Sequence, residues 1–170
     1  MTPLTAYFIR HGEKTFLGRK LTTRGIKQAQ HLAKYLKKEN FDEMISSTMS
    51  RSIQTAEIIN SVLKIPHIKD PRIKEVNYFD PLKFYKEKTR VLSFYNDLIK
   101  RKGKLLVVAH GNINRAFISF ILNIPSKNMK IVQIPTCINI LERKKTGKIN
   151  LVTMNETPHL PKNLKIRQRI

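Results

Sequence analysis

The chain has 170 residues, 41% of them hydrophobic, and carries 33 Lys and Arg against 12 Asp and Glu, a formal net charge of +21. That length suits a single domain, and that apolar content can bury a core, so neither a two-domain enzyme nor a disordered polycation fits. One cysteine, Cys137, excludes an intramolecular disulfide and reads as a small buried core residue.

In chain order, Leu4 to Ile9 is rich in β-formers and stops at Arg10-His11-Gly12, where glycine breaks the run. Thr22 or Thr23 caps a helix whose apolar positions are Ile26, Ala29, Leu32, Ala33 and Leu36. Met44 to Ser46 is a short strand, and a second helix carries Ile53, Ala56, Ile58, Ile59 and Leu63 before Pro66 ends it. His67 to Pro81 has no clear period and reads as loop, and a third helix spans Leu82 to Lys100. Leu105 to Ala109 is an unbroken apolar run, the mark of a strand covered on both faces. It ends at His110-Gly111, and another helix runs to Leu122. Cys137 to Leu141 and Ile149 to Thr153, joined through Lys144-Lys145-Thr146-Gly147, form a β-hairpin. From Pro158 onward apolar anchors are few; residues 1–157 are the expected domain and 158–170 a mobile basic tail.

Strands alternating with helices argue for an α/β fold, a three-layer α/β/α sandwich around a mostly parallel sheet. Ligands of open α/β sheets sit at the carboxyl ends of strands, so His11 and His110 are expected to share one pocket.

Each short motif is weak alone, but the series is specific: Arg10-His11-Gly12-Glu13, Leu21-Thr22-Thr23-Arg24-Gly25, Ser47-Thr48-Met49-Ser50-Arg51-Ser52, Glu75 and Ala109-His110-Gly111-Asn112. Its order and spacing resemble the histidine phosphatase superfamily, also called phosphoglycerate-mutase-like, over Leu4 to Pro125. The resemblance implies that His11 is phosphorylated while Arg10, Arg51 and His110 bind the phosphoryl group, and that Glu75 is the general acid; Asp80 and Glu13 are the alternatives.

The chemistry agrees with those residue types. Phosphoryl transfer needs an in-line nucleophile and positive charge around the equatorial oxygens. A neutral imidazole is a competent nucleophile, and arginine offers two fixed donors with permanent charge. Gly12 is read as allowing a tight turn, and Gly111, opening a helix, as offering a backbone N–H to an oxygen. Thr22, Gly25 and Gln54 read as architectural. Two departures from the family stand out. Leu17 replaces an asparagine that contacts phosphate in many relatives, which leaves that contact missing or supplied by Asn112; and Asn77-Tyr78-Phe79 replaces the usual residues after the acid.

No cofactor is implied and no metal-ligand cluster is visible. The expected function is a metal-independent phosphatase, a histidine acid phosphatase-type hydrolase acting on a phosphorylated small molecule or a phosphoprotein. The short stretch from Glu75 to Leu105 leaves little room for a long lid, which makes a mutase the alternative rather than the first choice. The scattered lysine-rich charge reads as a solvated surface that attracts anions as a side effect; a module docking on nucleic acid or an acidic membrane surface is the other class. Lys162, Lys165, Arg167 and Arg169 make the tail either a frayed terminus or a docking arm. Met1-Thr2-Pro3-Leu4 lacks a basic start followed by an apolar run, and no apolar run approaches a membrane span, so the expected location is cytoplasmic.

Overall fold

In a computed structural model the chain forms six strands and four α-helices; residues 2–76, 81–125, 129 and 131–165 are described, with 81–86 as backbone alone. The elements are β1 (Leu4–Arg10), α1 (Thr23–Leu36), β2 (Glu43–Ser47), α2 (Ser50–Leu63), β3 (His67–Asp70), α3 (Pro81–Leu98), β4 (Gly103–Ala109), α4 (Gly111–Leu122), β5 (Ile138–Arg143) and β6 (Ile149–Glu156). They build one sheet in the order β3-β2-β4-β1-β5-β6, in which β3, β2, β4 and β1 are mutually parallel and β5 is antiparallel to both neighbours.

Alternation along the central strands sorts side chains to two cores. Ala6, Phe8, Leu105 and Val107 pack with Val91, Phe94 and Leu98 of α3 and Phe117 of α4. Ile9, Leu106 and Val108 face the other way, onto Leu32 and Leu36 of α1 and Ala56 and Ile59 of α2. Both faces of β4 are therefore covered, which is why it reads as a continuous apolar run, and each such side chain contributes about 1.5–3 kcal/mol of burial. The result is the three-layer α/β/α sandwich. No helix among the described residues is long and apolar enough to cross a membrane.

The expected loop after Pro66 is corrected in its first part. His67–Asp70 is an edge strand paired in parallel with β2, and its partly exposed side chains leave no hydrophobic period to detect; the backbone ladder alone forms it. Asp70 then caps a 3₁₀ turn over Pro71–Ile73, its Oδ1 accepting from the Arg72 N–H at 2.8 Å. Asn77, Tyr78, Phe79 and Asp80 lie outside the described residues.

Ile26 is a second correction, since it stands exposed while Gly25 and Gln28 take the buried face of α1. The reason is steric: this end of the helix abuts backbone, where only a glycine fits. A third concerns the segment after Thr157. His159, Leu160 and Leu164 are buried, and the Leu164 carbonyl accepts from Gln28 Nε2 at 2.9 Å, so these three residues anchor the segment to the domain. Arg167 and Arg169 are outside the described residues.

Candidate active site

The sheet register sets the two histidines side by side. Arg10 is the partner of Ala109 across β1 and β4, and the His11 N–H donates to the Ala109 carbonyl at 3.0 Å, extending the ladder by one residue. His11 and His110 thus leave adjacent strands at their carboxyl ends, with ring centroids 5.1 Å apart. Both are buried, and both were expected here.

Helix α2 starts beside them. Arg51, on its first turn, donates from Nε to His11 Nε2 at 3.0 Å and from Nη1 to the Gly18 carbonyl at 3.1 Å. His11 Nδ1 lies 2.7 Å from the Gly12 carbonyl. A carbonyl only accepts, so Nδ1 carries the proton and Nε2 presents its lone pair to the pocket, an assignment made from the hydrogen-bond network. Arg10, half-buried, reaches the Gln133 carbonyl.

His110 is tethered by Nε2 to Ser47 Oγ at 2.9 Å and more loosely to Ser52 Oγ at 3.3 Å. Ser52 donates its proton to the Ala109 carbonyl, and Ser47 accepts the Met49 N–H, which leaves the Ser47 proton for His110 Nε2. His110 Nδ1 is buried without a hydrogen-bond partner among the described residues, and on this assignment it carries a proton to offer. Sequence reasoning quoted Ser47 and Ser52 within a motif but gave them no role; their function exists only across the β2–β4 pairing.

Burial holds both histidines well below the usual imidazole range. For His11 the Arg10 charge adds to it, and for His110 the neighbouring His11 and the two arginines do. Arg10 and Arg51 are themselves lowered, chiefly by burial.

Glu75 completes the cluster. Ile73 and Val76 are fully buried anchors on either side of it, and its N–H and Arg51 Nη2 both contact the Met49 sulfur, at 3.4 and 3.6 Å. Asn112 Nδ2 holds the Val76 carbonyl at 2.9 Å, and Arg90 of α3 staples the same loop through the carbonyls of Arg72 and Lys74. Asn112, the alternative to a missing phosphate contact, places this amide on the acid loop, while Leu17 sits 80% exposed in a turn. Burial raises the Glu75 carboxyl above the ordinary carboxylate value, and the Val76 N–H and both arginines oppose it. Glu13 is instead tied to the start of α1, accepting from the Thr22 hydroxyl at 2.7 Å, with Arg24 3.8 Å away. Asp80 lies outside the described residues.

The glycine expectation is revised in its cause. Gly12 has no left-handed φ; a Cβ there would meet the Gly25 carbonyl oxygen at 2.6 Å, and a Cβ on Gly25 would stand 2.2 Å from the Glu13 oxygen. Two backbones in contact, not a turn, demand both glycines. Gly111 opens α4 behind its N-cap His110, with the helix N-terminus at the pocket. Gln54 braces as expected, accepting from the Leu21 N–H at 3.0 Å, and Thr22 caps α1. Cys137 is buried, its thiol pushed up to about 12 by burial, and serves packing. No group of three or more His, Cys, Asp or Glu among the described residues could hold a metal ion.

A model of the histidine phosphatase superfamily (branch 1) matches residues 6–81 and 83–157. The protein named probable phosphoglycerate mutase GpmB of Proteus mirabilis is 36% identical over 83 residues, covering 44% of this chain and 39% of that protein. The Caenorhabditis briggsae protein named serine/threonine-protein phosphatase Pgam5, mitochondrial, is 29% identical over 92% of this chain and 64% of its own length. Among solved structures, Bacillus stearothermophilus YhfR superposes with a TM-score of 0.79 at 20% identity, over 92% of this chain and 98% of that one. The Entamoeba histolytica phosphoserine phosphatase in complex with 3-phosphoglyceric acid gives 0.74 at 24%, over 93% and 100%. At those identities the superpositions speak for the fold, and the family model speaks for descent. By fold and by motif, the chain belongs to the histidine phosphatase superfamily, branch 1.

Proposed function

We propose that this chain is a phosphomonoesterase that passes a phosphoryl group through His11 to water, with Glu75 as general acid and without a metal ion. The observation that carries the proposal is the fixed His11 tautomer, with Nδ1–H committed to the Gly12 carbonyl and the Nε2 lone pair meeting the buried Arg51 guanidinium.

In the first step His11 Nε2 attacks phosphorus. The bond from phosphorus to the substrate oxygen breaks, and the Glu75 carboxyl gives its proton to that oxygen. Arg51 exchanges its contact with Nε2 for phosphoryl oxygens, Arg10 and His110 Nδ1–H meet the others, and the start of α4 adds backbone donors. In the second step a water molecule attacks phosphorus on phosphohistidine, its proton passes to the Glu75 carboxylate, and inorganic phosphate and His11 are released. A depressed imidazole keeps the nucleophile uncharged, while a raised carboxyl keeps the acid protonated to higher pH.

Hydrolysis is favoured over mutase chemistry because, between the acid loop and β4, the described chain is the single helix α3. A mutase must shield its phosphohistidine from water. The substrate is a phosphorylated small molecule or a phosphoprotein, the kinds of activity named for the relatives. Docking of nucleic acid or an acidic membrane, the other use of the net charge, is not carried forward.

His11→Ala tests the proposal. It should abolish turnover of p-nitrophenyl phosphate while leaving the fold intact, and an acid quench of the wild-type reaction should trap an acid-labile phosphoenzyme. Turnover of the variant within about tenfold of wild type would refute it.

A further inference from the structure

We infer that residues 159–164, which follow β6 and pack beside α1, are a positioning element for His11 that acts through Thr136 and Gln28. The inference rests on the reading of His11 as the reacting residue.

The first link runs through Thr136. This residue is fully buried and has φ +59, a left-handed backbone that a β-branched side chain adopts only under strain. In that conformation its N–H points at the Arg10 carbonyl at 3.0 Å and the His11 carbonyl at 3.4 Å. The same loop receives the Arg10 guanidinium on the Gln133 carbonyl and the Arg10 N–H on the Cys137 carbonyl at 3.4 Å. Loop 133–137 therefore sets both the backbone and the side chain of Arg10, and Thr136 extends that hold to His11. Thr136 donates its hydroxyl proton to the Pro135 carbonyl at 2.7 Å, so the oxygen accepts from His159 Nε2–H at 3.0 Å. His159 is the support under the strained residue.

The second link meets the other side of the same backbone. Gln28 Nε2 donates to the Leu164 carbonyl, and Gln28 Oε1 accepts the Glu13 N–H, both at 2.9 Å. Gln28 is fully buried on α1, so its two ends bridge segment 159–164 to the residue two places beyond His11. Two relays from one segment thus grip the stretch Arg10 to Glu13 from both ends. A group that must sit in line with phosphorus is sensitive to sub-ångström displacement, which gives the relays a catalytic consequence.

Three variants of the full chain decide the matter. His159→Leu removes the donor; His159→Gln can place an amide nitrogen where Nε2 stood; His159→Asn is too short to do so. We expect the Leu and Asn variants to lose kcat by about five- to twentyfold with KM held within about twofold, and the Gln variant to keep at least about half of wild-type kcat. If the Leu variant does not fold, the Gln and Asn pair still makes the comparison. Amide hydrogen exchange on the same proteins is independent of turnover: the Thr136 amide should lose protection in the Leu and Asn variants while Leu106 to Val108 keep theirs. Unchanged kcat in the Asn variant, a loss carried by KM, or unchanged exchange at Thr136 would overturn the inference. Absence of a phosphohistidine in the wild type would instead defeat the reading of His11, and the exchange data would still judge the linkage.

Discussion

Arg51 has two tasks, and removing it separates them. In the resting protein its Nε–H caps the very lone pair that must attack phosphorus, and Nη1 is pinned on Gly18. On the proposed mechanism the freed fork moves during transfer to the phosphoryl oxygens, where it forms two charge-assisted hydrogen bonds. Losing one preorganised donor of this kind costs about 2.7–4 kcal/mol, so Arg51→Ala should lower kcat/KM by roughly 10²- to 10³-fold. Arg51→Lys keeps the charge but only one directed bond; at about 1.5–3 kcal/mol for the bond lost, the expected fall is roughly 10- to 150-fold. Stability should behave differently. Burial works against the Arg51 cation and outweighs the Glu75 charge that favours it, with Arg10 adding to the penalty, so the Ala variant should melt no lower than wild type. The Arg51 charge also helps depress His11, so its removal should raise the imidazole pKa, visible by NMR and as an upward shift of the acid limb of kcat/KM. Steady-state and single-turnover kinetics on p-nitrophenyl phosphate, beside thermal melts, provide the assay. A loss below about tenfold in kcat/KM, or an acid limb that stays put, would refute the two-task account.

Further outcomes follow from the same geometry. Glu75→Gln should slow alkyl phosphates far more than p-nitrophenyl phosphate, whose leaving group hardly needs a proton; equal losses on both would remove Glu75 as the acid. Activity should survive excess EDTA because Arg10, Arg51 and His110 supply the charge that a metal ion would, and reversal of chelator inactivation by magnesium or manganese would contradict this. His11, His67, His110 and His159 are all depressed from 6.5, burial being the first cause in each. Their contribution to stability is complete above pH 6.5 and is lost as the pH falls through the folded values. For His159, held at about 4, the stability lost between those limits is about 3 kcal/mol. The raised Glu75 carboxyl works in the opposite sense, its penalty growing as pH rises above 4.5. Urea unfolding across this range should show stability falling with acid, and His159→Gln should flatten the fall; an unchanged slope would count against buried neutral His159.

How much of this is legible in the chain depends on the range of the interaction. Local signals carried the helix caps and the central strands: Thr22 before an amphipathic stretch, glycine after a β-rich run, five apolar residues in succession from Leu105. The motif series carried His11, Arg10, Arg51, His110 and Glu75, and the fold brings all five into one cluster. Edge strand β3 was missed because a strand with one partner and wet side chains has no hydrophobic period. Ile26 was misjudged because helical spacing alone does not reveal that the neighbouring Gly25 must touch the backbone of Glu13.

The amino-acid order by itself determined the family, the layer architecture and which side chains make up the candidate site, because each rests on residue type and local spacing. Only the tertiary structure decided how those side chains are held. The donor on His11 Nε2 comes from Arg51 forty residues away, the His110 tether from Ser47 of β2, and the anchor of Leu164 from Gln28 of the first helix. Such bonds join groups far apart in the chain, where direction and distance come from packing the layers and leave no periodic trace in the sequence.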